Sequence, residues 1–498
     1  MRKLPALMIV ILACFALQQA PALADQDPAS SAETIQLSEA LQLAIRQSPS
    51  LATARIDLDI AQGQIVQSLG IEDLLLRASG RYDLQSDESV AGDITGTNKS
   101  SQASGTASLS KLLPTGGTLS LHSTTTRRTV TLNFNDSELV DYKSQISARL
   151  DQPLLRGLGK DITRASQAQA KHNLSASQLT LRARARDEIQ TILETYWELV
   201  WAHKELEIRL SALTLAKERR RLTESSVKLG SAPATAIWEV DQVMATSEEE
   251  ILLAEQRITV RSLEFRRLSG MEIGPKHLNL TPAEEISVSP ESFELAEVVS
   301  KALENDPSLA ALAERKLGAE VAVAAAEDGT QARLDLSLSA GPLGTENDLS
   351  GSLTRMAKLK GYFIGTSLSF EQSLGRHTAK GRSQEARARR QLLTVSERDL
   401  RAAIATAAAG SVQSAHIASK RMELSRQAID LSEKNIEAER RRFEAGKSTN
   451  FDVLERQEEQ KQARLRYARA EVDYLRASIA IQALRGELLG AYGVTLDQ

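Results

Sequence analysis

Leu37-Ser-Glu-Ala-Leu-Gln-Leu-Ala-Ile-Arg-Gln-Ser-Pro49-Ser-Leu-Ala52 returns later in the chain as Leu295-Ala-Glu-Val-Val-Ser-Lys-Ala-Leu-Glu-Asn-Asp-Pro307-Ser-Leu-Ala310, at a constant offset of 258 and with seven of sixteen positions identical. A second correspondence joins Lys228-Leu229-Gly230 to Glu444-Ala445-Gly446, each followed by a helical tract, at an offset of 216. A period this long reads as duplication of a whole structural unit. The chain therefore divides into a first repeat, 25–270, a proline-bearing linker, 271–292, and a second repeat, 293–498. Because the two offsets differ by 42, the first repeat carries about 42 extra residues between its shared proline and its shared glycine.

Those extra residues lie where the apolar period switches to two. Ala78, Gly80, Tyr82 and Leu84 alternate with Ser79, Arg81, Asp83 and Gln85, and Tyr142, Ile146 and Leu150 alternate with Lys143, Gln145 and Arg149. The second repeat shows the same pattern, with Leu334, Leu336, Leu338 and Ala340 set against Arg333, Asp335, Ser337 and Ser339, and with Tyr362, Ile364, Thr366, Leu368 and Phe370 marking a further strand. One face of each strand is largely apolar and the other polar. Each run fits a membrane β-strand of about 10 residues, although an ordinary half-buried sheet would alternate too. The β-regions are placed at about 74–155 and, as a hairpin, at about 333–371.

Between them run long helices. No proline or glycine interrupts Ala165 to Lys228, and Gly410 alone interrupts Gln384 to Ala445. At 1.5 Å per residue each tract would extend roughly 90 Å, too long for the core of a compact globule. After Gly446, two interleaved seven-residue series, 454-461-468-475 and 458-465-472-479, give coiled-coil spacing with Glu458 and Lys461 as polar interruptions. Alanine-rich stretches such as Ala402 to Ala409 would let helix axes approach closely.

The N-terminus sets the compartment. Arg2 and Lys3, an apolar run from Leu4 to Leu17, and Ala22-Leu23-Ala24 read as a secretory signal peptide over residues 1–24, since the run is too short to span a bilayer. The single cysteine, Cys14, lies inside it, so the exported chain has no disulfide; a lipoprotein site at Cys14 is the competing reading of this segment. Of 498 residues, 61 are Lys or Arg and 65 Asp or Glu, a net charge of −4 without a long basic block, which argues against a nucleic-acid partner.

These residues resemble the TolC-like outer-membrane efflux proteins of Gram-negative bacteria over nearly all of the mature chain. The marks are the two Leu-x-Glu openings ending in Pro-Ser-Leu, the stretch Gln152-Pro153-Leu154-Leu155-Arg156-Gly157, and the run from Phe443 through Gly446 to Asp452 and Glu455. The resemblance implies a mixed, mostly α fold: coiled-coil helices forming a periplasmic α-barrel, and transmembrane strands contributing to one β-barrel shared by a homotrimer. It also implies an outer-membrane channel subunit of a tripartite efflux or type I secretion system. Such a subunit is a passive duct served by an inner-membrane pump and a periplasmic adaptor, in contact with outer-membrane lipid. The turns at Gly230 and Gly446, with Phe443 and Ser448, would form the periplasmic tip that meets the adaptor. Asp452 and Glu455 match two acidic positions that line the closed entrance in TolC itself, and would form rings of three like charges at the pore constriction. Phe443 and Ser448 depart from a tyrosine and an arginine that latch that entrance, which puts those latch bonds in doubt.

No enzyme is expected. The six histidines, His122, His172, His203, His277, His377 and His416, show no metal-ligand spacing, and Pro114-Thr115-Gly116-Gly117 lacks the Lys-Ser/Thr of a phosphate loop, so no metal and no cofactor is assigned. The rival reading, a soluble periplasmic coiled-coil scaffold or adaptor bridging envelope proteins, explains the helices but not the amphipathic strands or the duplication. For the extra 42 residues, alternation on both sides of Pro114 to Gly117 suggests an added hairpin, which would make 18 strands in a trimer; serine and threonine content weighs slightly towards a surface loop instead.

Overall fold

The structure, a computed structural model, describes residues 33–91, 94–132, 137–230, 233–275 and 277–494. The predicted leader, 1–24, and the lipidation site at Cys14 lie outside the described residues. In chain order the first repeat contains β1 (Glu33–Ile35), α1 (Leu37–Gln47), α2 (Pro49–Leu69), β2 (Leu75–Ala91), β3 (Ile94–Leu112), β4 (Thr118–Leu132), β5 (Ser137–Pro153), α3 (Lys160–Thr163), α4 (Ala165–Lys228) and α5 (Thr235–Ser269). The linker holds β6 (Leu280–Pro282). The second repeat contains α6 (Leu295–Asn305), α7 (Pro307–Asp328), β7 (Arg333–Glu346), α8 (Leu349–Ala357), β8 (Gly361–Glu371), α9 (His377–Glu444), α10 (Asn450–Arg485) and α11 (Leu488–Ala491).

The repeat is visible in the ends of its helices. Pro49 and Pro307 both occupy the first turn of α2 and α7, where a missing N–H costs nothing and a fixed φ helps. In α7 the Asp306 side chain accepts from the Leu309 N–H at 2.8 Å, and Asp306 also takes Arg186 of α4 at 2.5 Å. In the first repeat Ser48 occupies the equivalent place and bonds Glu188 of α4 at 2.7 Å. The residues preceding the two prolines, Ser48 and Asp306, thus tie α2 and α7 to the same helix, α4. α4, with 64 residues, is about 96 Å long, and α9, with 68, about 102 Å.

α4 pairs with α5 and α9 pairs with α10, while α10 also packs on α4 and so joins the two hairpins. The heptad reading captured one side of α10: Leu454, Leu465, Ala468, Val472 and Ile479 are buried, and the interruption Lys461 is buried with Nζ 2.8 Å from Glu250 and 2.7 Å from Glu458. A second seam, Ala463, Ala470, Tyr474, Ala477 and Ile481, is buried on another side, where Ala470, Tyr474, Ala477 and Ile481 meet Ala408, Ala415, Ala418 and Met422 of α9. Alanine holds three of its five positions and leucine none, so leucine spacing does not reveal it.

The largest core lies midway along α4. Ile189, Ile192, Leu193, Tyr196, Leu199 and Val200 pack with Ala40, Leu41, Phe265 and Leu280, and Tyr196 stacks edge-on against Trp197 and Phe265 at 5.9 Å. The linker contributes directly: β6 runs parallel to β1, and the Tyr196 hydroxyl donates to Glu284. Beside this core, Glu198 on α4 accepts from Arg469 (3.0 Å twice) and Arg476 (2.8 Å) on α10. Burial would raise the Glu198 carboxyl, but the Arg469 hydrogen bonds and the charges of Arg469, Arg476 and Arg261 outweigh it and hold the group below its ordinary 4.5. A depressed carboxylate contributes stability that is complete above its unfolded pKa and lost as pH falls through the lower folded value. The urea midpoint should therefore drop on acidification below pH 4.5. Glu198→Gln should cost about 2 kcal/mol at neutral pH, less than a wholly buried pair because both arginines are partly exposed, and should flatten that part of the acid limb. An acid limb of unchanged slope in the variant would remove Glu198 from this role.

Candidate pore wall and tip

Six strands form one antiparallel sheet in the order β2-β3-β4-β5-β7-β8, with β2 and β8 at its edges. β3 and β4 pair from Leu112–Thr118 to Lys99–Thr131, and each also pairs along its other side. The added segment is therefore a hairpin within the wall, and the surface-loop reading is overturned. Serine and threonine there do not mark a loop; they lie within strands whose backbone bonds are satisfied by neighbours on both sides. The turn is fixed at the end nearest the helices. Gly116 takes φ +89°, and a Cβ there would come within 2.1 Å of the Gly157 carbonyl oxygen, so glycine is required on both counts. Gly159 N–H donates to Thr115 at 3.1 Å.

Register sorts the wall into two faces. One carries Leu76, Tyr82 and Leu84, Leu109, Leu119 and Leu121, Ile146 and Leu150, Leu334 to Leu338, and Tyr362 to Phe370 at alternating positions. Ile364 and Leu368 are 78% and 64% exposed there. The other face carries Arg77, Arg81, Asp83, Gln102, His122, Arg149, Asp151, Arg333 and Asp335, with ion pairs Arg149–Asp151 at 2.8 Å and Arg333–Asp335 at 2.5 Å. An apolar face left this exposed is abnormal for a sheet in water. Between β7 and β8 the hairpin expected from sequence carries an unforeseen helix, α8.

The Gln152 to Gly157 stretch is the joint between repeats. Leu154 N–H donates to Leu334, Arg156 N–H to Ala332, and Gly157 N–H to the Asp328 carboxylate at 2.8 Å. It is there that β5 pairs with β7 and the two halves become one sheet.

At the opposite end of the helices lie the two turns. Gly230 follows α4 with φ +71° and Gly446 follows α9 with φ +68°, left-handed conformations that close a helix and reverse the chain. Asp452 is the third residue of α10 and completes a capping box: Thr449 Oγ1 accepts from Asp452 N–H at 3.2 Å, and Asp452 Oδ2 accepts from Thr449 N–H at 2.9 Å. The hydrogen bonds from Thr449 and Ser448 hold its carboxyl below the usual carboxylate range. Thr449-x-x-Asp452 is the sequence signature of such a cap, and it was readable. Glu455, one turn on, is exposed and 4.0 Å from Arg456. Ser448 Oγ bonds Glu439 at 2.5 Å and Asp452 at 3.1 Å.

Phe443 has a partner that sequence reasoning missed. Arg219 of α4, almost wholly buried, lays its guanidinium 4.4 Å over the Phe443 ring and donates from Nε to Asn450 Oδ1 at 2.5 Å. Burial, with the charge of Arg440 nearby, pushes its pKa down. Among the described residues its Nη2 and Asn450 Nδ2 lack a hydrogen-bond partner. The contact spans more than two hundred residues of sequence, so no local pattern announces it.

The histidines stay apart: His172 pairs with Glu314 at 2.8 Å and His203 with the Leu280 carbonyl at 2.8 Å. Among the described residues no group of three His, Cys, Asp or Glu side chains is placed to hold a metal ion.

Residues 298–487 match the family model described as outer membrane efflux protein. No curated protein matches the chain by sequence. Among similar solved structures, the outer-membrane channel OprN is 16% identical with a TM-score of 0.67, over 91% of this chain and 90% of that one. VceC of Vibrio cholerae is 17% identical with a TM-score of 0.65, over 90% and 96%. MtrE of Neisseria gonorrhoeae, an outer membrane channel solved in its open state, is 15% identical with a TM-score of 0.64, over 91% and 89%. The match to the outer membrane efflux protein model over 298–487, and the mixed, mostly α fold that the chain shares with these solved structures, agree with the resemblance drawn from the duplicated motifs.

Proposed function

We propose that this chain, whose residues 298–487 match the outer membrane efflux protein model, is the outer-membrane channel subunit of an efflux or secretion system: a passive duct through the outer membrane, extended into the periplasm by its helices. The observation that carries the reading is the six-stranded sheet, apolar and exposed on one face, polar on the other, and ending in two edges. Open edges are untenable in lipid, where each unsatisfied backbone group costs several kcal/mol, so copies must close the wall by pairing β8 of one with β2 of the next. Three copies, the homotrimer of the family, give 18 strands, and a barrel about 1.5 times as wide as one of 12, since diameter grows roughly linearly with strand number.

The tip, with Gly230, Gly446, Phe443 and Ser448, is the end offered to a periplasmic adaptor and an inner-membrane pump. Asp452 and Glu455 line the constriction there. Asp452 supports this because its capping bonds keep it ionised, and Glu455 because its carboxylate is exposed. Planar-bilayer recording tests both levels. Discrete, cation-selective conductance is expected, and Asp452→Asn with Glu455→Gln should reduce the selectivity and weaken block by multivalent cations as the local negative potential disappears. Membranes without conductance, or protein confined to the soluble fraction, would return the chain to the scaffold reading. Unchanged selectivity would leave Asp452 as a cap only.

A further inference from the structure

α8 is seated on the apolar side of the wall. Gly344 of β7 and Ser144 of β5 are register partners on that face, and the helix rests on them. A Cβ at Gly344 would lie 2.1 Å from the Ser352 carbonyl oxygen and 2.6 Å from the Met356 nitrogen, so only glycine lets the helix come this close. Ser144 Oγ and Ser352 Oγ are 2.9 Å apart and buried, and Arg355 reaches Glu346 at 2.5 Å. Asp348 caps the helix by accepting from Gly351 N–H at 2.8 Å. The seat is polar and small, whereas Leu349 and Leu353, one turn apart along the side of the helix, are 45% and 40% exposed.

Height along the wall gives this placement its meaning. On β7 the apolar positions run from Leu334 to Pro342, a nine-residue stretch that fits a membrane-crossing strand of about 9–11 residues. They stop at Gly344, and on β5 the apolar run ending in Ile146 is broken at Ser144 before Tyr142 and Val140 follow on the same face. Tyr142 and Tyr362 face the same way at this level, as interfacial aromatic residues do in membrane barrels. α8 thus lies across the outer wall where the apolar stretch of β7 ends, on the side remote from the helices and short of the tips of β2 to β5.

We infer that α8 is an interfacial helix that binds lipid of the outer leaflet at the boundary between headgroups and acyl chains. This rests on the duct reading above. Leu349 and Leu353 continue the apolar band sideways into the acyl region, while the exposed Lys358 and Lys360 at the helix end extend towards the headgroups. The clamp is the Gly344–Ser352 contact, so the helix adheres to lipid and wall together.

Single cysteines test it, since the only native one, Cys14, falls in the predicted leader. An environment-sensitive fluorophore is attached at Leu353→Cys, Ser350→Cys or Ile364→Cys, and the protein is reconstituted into phosphatidylcholine vesicles with acyl chains brominated near the headgroup. The Leu353 label should be quenched at least half as strongly as the Ile364 label and shielded from aqueous iodide, while the Ser350 label should be open to iodide. Gly344→Val should abolish lipid quenching at Leu353 and leave it intact at Ile364. A Leu353 label quenched by iodide and not by lipid, beside a lipid-quenched Ile364 label, would overturn the inference alone. An Ile364 label untouched by lipid would overturn the membrane reading itself.

Discussion

Arginine in place of Ile364 or Leu368 should destabilise each chain in a bilayer by about 2–4 kcal/mol, or about 6–12 for three chains, because both side chains lie near the middle of the apolar band. Arginine in place of Ser367, which lies between them and faces the other way, should leave assembly intact and alter only ion selectivity. In water the ranking would differ: both apolar residues are largely exposed, so a charge there should be neutral or improve solubility. Heat-modified migration of the reconstituted oligomer, with a urea series in vesicles, reads the difference. Equal tolerance at Leu368 and Ser367 would remove the lipid-facing wall.

Tyr196→Ala should cost about 3–5 kcal/mol, since a wholly buried ring in the central core leaves a cavity. Tyr196→Phe keeps the ring against Trp197 and Phe265 and loses only the hydroxyl that Glu284 and Ile35 receive, at about 1–3 kcal/mol. The urea midpoint should fall much further for the alanine variant. Hydrogen exchange over residues 33–35 should rise in both, because β1 is held to α4 through that hydroxyl. Equal midpoints would assign the site's contribution to the hydrogen bond rather than to packing.

What the sequence disclosed depended on the range of the interaction. α4 begins and ends where proline and glycine cease and resume, and β7 and β8 fall within the predicted 333–371, because local propensity and alternation decide both. The hairpin at 94–132 was harder. Its alternation is carried by alanine, serine and threonine, which signal a loop equally well until neighbouring strands supply partners. α8 escaped because its short amphipathic pattern sits where a hairpin turn was assumed. At the tip, Asp452 was readable as a cap from Thr449 alone. Arg219 was not readable at all, because Phe443 at the end of α9 and Asn450 at the start of α10 become its partners only when α4 packs against that hairpin.

The wall's strand order also dictates when it can be built. β2 to β5 pair with immediate sequence neighbours and close short loops, whereas β5 must wait for β7, with the whole of α4, α5, α6 and α7 between them. Contacts this distant in sequence form late, because the chain entropy lost in closing the long loop comes before any compensating pairing. Until then the four-stranded meander would have two unpaired margins, β5 on one side and β2 on the other. Two meanders meeting at that stage could join in the wrong sense. The six-strand arrangement thus makes arrival of the second repeat the step that commits a chain to its proper neighbours.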